Sequence, residues 1–237
     1  MAPAWLSHLM DRLRAARADA ASEEERRILG VLLRRGSFGD EASFLAALTG
    51  ELAAVESAAE SIDERTVELI AAQLRGHHGE ELDRIGPHVR EHLDLWSLLV
   101  RRSGSQLARA CRADLRLLAG DRDGALDDFL EAVEGDPSLV AFQSELDELA
   151  RERGGEAWLR YRLASLRAAL AGLGSQDGDG EGDADDDHVR ELYCELLEEF
   201  RAEPGAQRRI REVGALIDQA VDRGDLPRAI VRRAPRG

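Results

Sequence analysis

Apolar residues recur in steps of three and four along almost the whole chain. Phe44, Leu48, Leu52 and Val55 form one such set, and Val89, Leu93, Trp96 and Leu99 another. Leu159, Leu163, Leu166 and Leu170 follow the same rule, as do Val189, Leu192, Leu196 and Phe200. At about 3.6 residues per turn this spacing gathers each set on one face of a helix, and a one-faced helix must bury that face against a neighbour. Segments of Val, Ile and Thr with the alternation of a strand are absent. The expected fold is all-α: roughly nine or ten helices joined by short turns into an antiparallel helix-pair array, either a bundle or a solenoid.

The turn residues agree. Ser22 with Glu25, and Ser61 with Glu64, have the spacing of a capping box, in which each residue satisfies the other's backbone N–H. Pro87 suits the first turn of the helix carrying Val89 to Val100. Gly36, Gly76, Gly120, Gly154 and Gly224 fall where helices should end or turn.

Composition narrows the chemistry. The chain has 237 residues, room for one large domain or two small ones, and only 4% are aromatic, so its core must be mostly Leu, Ala, Val and Ile. All 32 basic residues are arginine; there is neither lysine nor asparagine. That excludes Schiff-base catalysis, a P-loop lysine and N-glycosylation. A net charge of -15 opposes general nucleic-acid binding, which needs a basic footprint. Cys111 and Cys194 are too few for a disulfide framework or a cysteine-based zinc site, and both lie in helical stripes as candidate core residues. A reducing, cytoplasmic location is the simplest expectation. The first twenty residues lack a signal-peptide h-region; Trp5, Leu6, Leu9, Met10 and Leu13 line one helical stripe instead. No run approaches the ~18 apolar residues of a membrane span, so no membrane association is expected.

One stretch differs. Residues 175–187, SQDGDGEGDADDD, hold seven acids and no apolar side chain larger than alanine, which predicts an acidic flexible linker. Asp177, Asp179, Glu181 and Gly182 match the first half of a calcium loop, but Ala184 and His188 stand where the second half needs an apolar anchor and a bidentate glutamate. The last twelve residues carry four arginines and no acid. They are candidates for weak, salt-sensitive pairing with an acidic partner, RNA or the linker itself.

The most informative segment is Gln106 to Leu139, 34 residues long. Ala113 lies in its first helix, Gly120 at its turn, Ala125, Phe129 and Ala132 in its second helix, and Pro137 at its close. In this it resembles a tetratricopeptide repeat, a helix–turn–helix unit of that period. In such units small residues let two helices approach, the aromatic fills the groove between neighbours, and proline ends the second helix. Arg109 and Arg116 depart from the family, which has Trp and Tyr there. Weaker echoes occur at 140–172, where Ala157, Tyr161 and Ala164 repeat the spacing, and at 206–237, where Gly224 to Ala229 repeats the turn.

The expected organisation is an N-terminal helical region at 1–105, repeats at 106–174, the linker at 175–187, and a C-terminal helical segment with a basic tail at 188–237. Residues 1–105 are either degenerate repeats or a separate bundle. The resemblance implies a solenoid whose concave face captures a peptide or partner helix. On the matched repeat that face corresponds to Leu107, Ala110, Asp114 and Leu117, some of which double as core. Repeats that clamp chaperone carboxyl termini use lysine and asparagine, which this chain lacks.

Two other readings use different residues. His88, Glu91 and His92 spell H-x-x-E-H, the pattern of a zinc-dependent hydrolase in which two histidines four apart hold the metal and the glutamate is the base. His77 and His78 lie close by in sequence. No second glutamate-bearing helix stands out downstream. The remaining possibility is a structural subunit of a larger complex. No other catalytic or cofactor-binding motif is present. The expectation is therefore a non-catalytic adaptor or scaffold without cofactor, acting on a protein or peptide partner.

Overall fold

The structure, a computed structural model, describes residues 4–20, 22–54, 62–75, 85–142, 144–173 and 182–223. Among these the fold is all-α, with eleven α-helices, three short 3-10 turns and no strand. The chain divides into two compact units, Met1–Ala132 and Val133–Gly237.

The first unit holds α1 (Ala4–Asp19), α2 (Glu23–Leu33), α3 (Glu41–Ala54), α4 (Glu64–Arg75), α5 (Val89–Ser103), α6 (Gln106–Leu118) and most of α7 (Arg122–Gly135). Each helix from α1 to α6 packs on at least two others, around Leu13, Ile28, Leu32, Phe44, Leu48 and Ile70. Full burial of a side chain of this size contributes about 1.5–3 kcal/mol.

Helix starts follow from local chemistry. Ser22 has extended backbone, and its Oγ accepts from the Glu25 N–H at 3.1 Å. Glu23, Glu24 and Glu25 then place negative charge at the positive end of α2. The reciprocal half of the capping box does not form. The Glu25 carboxylate instead accepts from the Asp63 N–H at 3.1 Å and ties α2 to the start of α4. Asp40 caps α3 by accepting from the Ser43 N–H at 2.7 Å. Ser61 lies outside the described residues, and Glu64 accepts from the Ser105 hydroxyl at 2.6 Å. Ser105 in turn caps α6 by accepting from the Ala108 N–H.

On α5 the buried line runs through His92, Leu95, Trp96 and Leu99, while Val89 and Leu93 are half-buried. The inward face is therefore rotated from the stripe that apolar spacing alone predicts, and His92 sits at its centre rather than its edge. A histidine beside an acidic partner on a neighbouring helix is tolerated inside, and α3 supplies Glu41.

The second unit contains the end of α7, the 3-10 turn Pro137–Phe142, α8 (Ser144–Arg153), α9 (Gly155–Leu173), α10 (Gly182–Glu199) and α11 (Pro204–Arg223). Helix α9 packs on α8, α10 and α11; Leu159, Leu163 and Leu166 on α9 are buried, as are Val189, Leu196 and Ile210 on α10 and α11. Trp158 stacks on Tyr161 with centroids 5.3 Å apart, and the Arg151 and Arg162 guanidiniums lie 5.1 and 5.5 Å from its ring centre. Its indole N–H donates to Glu199. Burial raises the Tyr161 phenol above its ordinary value.

Two sequence expectations meet a different arrangement. The compact division falls inside α7 and not ahead of Gln106, because Ala108, Cys111 and Leu115 of α6 join the N-terminal core. Helix α10 begins at Gly182, so 182–187 of the acidic stretch are helical. The remainder of that stretch and residues 224–237, with the arginine tail and the last repeat echo, lie outside the described residues. No helix among those described is long and apolar enough to cross a membrane.

Candidate functional site

Helices α6 and α7 form the hairpin on which the candidate site rests. Gly120, at φ 82, makes the turn between them. This left-handed conformation costs an L-residue about 1–2 kcal/mol and glycine nothing. Ala113 on α6, and Ala125, Phe129 and Ala132 on α7, are all fully buried. Pro137 opens a 3-10 turn just after α7 ends. The residues singled out by sequence at 113, 120, 125, 129, 132 and 137 therefore occupy a tight turn, buried helix positions and the turn that follows a helix end.

Three arginines fix the register of the hairpin. Arg109 pairs with Glu131, Arg112 with Asp128, and Arg116 donates to the Gly124 carbonyl at 2.9 Å. As the numbers rise on α6 they fall by the same steps on α7, so the helices run antiparallel. The Arg112–Asp128 pair is bidentate, at 2.7 and 2.6 Å, and Arg116 also lies 3.1 Å from the same carboxylate. Asp128 is buried, which is tolerable for a carboxylate only because two guanidiniums face it. Arg109 and Arg116 thus join the two helices by charge and hydrogen bonding.

The proposed contact residues are not equivalent. Ala110 is buried, and Leu107 is half-buried against the N-terminal core. Asp114 and Leu117 are half-buried. Leu118, 46% exposed, extends the accessible apolar surface at the end of α6. In the second unit, Gly154 makes the turn between α8 and α9 at φ 64, 34 positions after Gly120. Of the echo that follows, Ala164 is buried while Ala157 and Tyr161 are half-buried.

The H-x-x-E-H residues are dispersed. His88 belongs to the 3-10 turn Gly86–His88 and precedes α5. Glu91 is exposed, whereas His92 is buried with Nε2 3.7 Å from Glu41 Oε1. The two histidines are therefore not presented by successive turns of one helix. His77 and His78 lie outside the described residues. Among those described, no three His, Cys, Asp or Glu side chains gather as a metal-binding group. Cys111 is buried and Cys194 half-buried.

A polar cluster that sequence spacing does not announce joins Glu41, the acidic neighbour of His92, to Arg35. The Arg35 Nη2 donates to both Glu41 oxygens, at 3.1 and 3.0 Å, and Nη1 donates to the Gln73 carbonyl. The guanidinium also lies 5.0 Å from the centre of the Phe44 ring. The adjacent Asp40 carboxyl is held below its ordinary range, first by its hydrogen bonds with Ser43 and further by the proximity of His88.

Comparison with family models, with curated proteins and with solved structures gives no match for this chain.

Proposed function

We propose that the chain is a non-catalytic binding adaptor of tetratricopeptide type, in which the α6–α7 hairpin belongs to a repeat array that captures a peptide or partner helix. The observation that carries this reading is the complete burial of Ala113, Ala125, Phe129 and Ala132 on the two arms of an antiparallel hairpin turned at Gly120. Close approach of helices through small residues is the packing that a repeat of this period requires. The turn at Gly154, one period further on, supports a second unit.

Asp114 and Leu117 are half-buried, and Leu118 adds exposed apolar area beside them. A surface that offers one carboxylate next to leucines suits an amphipathic helix or an extended segment with apolar anchors. The partner would be a protein or peptide.

The test compares the full-length wild-type chain with an Asp114→Arg/Leu117→Arg variant and an Asp127→Arg control in the source cell. Proteins that copurify are quantified by mass spectrometry, with circular dichroism to establish that all three chains are folded. Partners retained by the control and lost by the double variant are the expected result. Identical partners for all three chains would contradict the assignment of this face.

A further inference from the structure

A cavity of about 580 Å³ opens in the first unit, among α1, α2, α3 and the 3-10 turn Arg35–Ser37. Ligand pockets occupy roughly 300–1,000 Å³ and combine apolar walls with a few fixed polar groups. This one has that composition. Leu6, Met10, Leu33 and Phe38, all half-buried, supply apolar wall. Phe38 is held in place by an edge contact with the buried Phe44, centroids 5.6 Å apart.

The polar end is built and asymmetric. Arg35 is pinned by Glu41, the Gln73 carbonyl and the Phe44 ring, and its charge is matched by the carboxylate of Glu41. Asp40, exposed at the rim of the cavity and close to His88, is the remaining charge among the lining residues. Its carboxylate is fixed by the Ser43 N–H at 2.7 Å. Among the described residues that line it, one arginine stands against two carboxylates, an excess of one negative charge beside an apolar wall, with His88 and His92 near those carboxylates but outside the lining.

We propose that this cavity binds a small amphipathic cation, an alkyl- or arylammonium whose apolar body lies against Met10, Leu33 and Phe38 and whose ammonium faces Asp40. An anionic amphiphile of the same length is disfavoured, because Arg35, the one cation among the described lining residues, is already engaged by Glu41. The site is separate from the α6–α7 surface, so its occupancy does not depend on the adaptor reading.

The test is titration calorimetry of the full chain with octylammonium, octanoate and octanol at low salt. Octylammonium should bind saturably, with octanoate about tenfold or more weaker, as expected for unit charges within a few ångströms at a partly screened surface. Asp40→Asn should remove most of that preference. Asparagine caps helices as well as aspartate does, so this variant changes charge while keeping the start of α3. Met10→Trp should fill the cavity and abolish binding of all three probes. Octanoate binding as tightly as octylammonium, a preference unchanged in Asp40→Asn, or no saturable binding of any probe would each overturn the proposal.

Discussion

Replacing Phe129 by alanine removes a fully buried ring from the inward face of α7. Loss of a core phenylalanine costs about 3–5 kcal/mol, from lost transfer energy and the cavity left behind. A compact unit of this size loses about 3–5 °C in Tm per kcal/mol, so the transition of residues 1–132 should fall by about 10–20 °C. Phe129→Leu keeps most of the volume and should cost below about 1.5 kcal/mol. Asp127→Ala, two residues away and exposed, should stay within about 0.5 kcal/mol of wild type. A decrease below about 3 °C for Phe129→Ala would mean that the ring is not part of the packed hairpin. The strongest link to a tetratricopeptide unit would then be lost.

Three further perturbations probe separate parts of the account. A double-mutant cycle on Arg112 and Asp128 should give a coupling of about 1–3 kcal/mol in chemical denaturation, with Asp128→Ala the costlier single change because Arg116 shares that carboxylate; coupling below about 0.5 kcal/mol would contradict a register set by charge. Glu134 is held below the ordinary carboxyl value, first by its hydrogen bond with Arg160 and also by Arg209 and Arg167. Its contribution is therefore present above pH 4.5 and is lost as pH falls through the depressed folded value. Melts of the second unit between pH 6 and pH 3 should show a smaller acid-induced drop in Glu134→Gln than in wild type. Gly120→Ala should cost about 1–2 kcal/mol by backbone strain alone, because nothing lies within 4 Å of the added methyl, and Gly120→Asn should cost less.

Much of the helical layout is legible in the sequence because its causes are local. The stripe at Phe44, Leu48 and Leu52 is buried as the spacing requires, and Ser22 caps the helix that it precedes. Ala113, Ala125, Phe129 and Ala132 of the 106–139 segment are likewise buried on their helices. What escaped is tertiary. Nothing near Glu25 in sequence indicates that its carboxylate will accept from Asp63, or that Glu64 will accept from Ser105. The burial of His92 beside Glu41, more than fifty positions earlier, is a tertiary pairing that apolar spacing does not signal. Arg109 and Arg116 read as departures from a family pattern. They become structural only when Glu131 and the Gly124 carbonyl are seen opposite them. The cavity beside Asp40 has no sequence signal at all, since α1, α2 and α3 each contribute one part of its wall.

The central claim is that the α6–α7 hairpin presents a partner-binding face. Site-specific photocrosslinking in the source cell tests it most directly, with the reactive residue placed in turn at Leu107, Asp114 and Leu117 and, as a control, at Asp127. The account predicts a covalent adduct of defined mass from Asp114 or Leu117 that is absent from Asp127. No adduct from any of the three α6 positions, or the same adducts from Asp127, would contradict it.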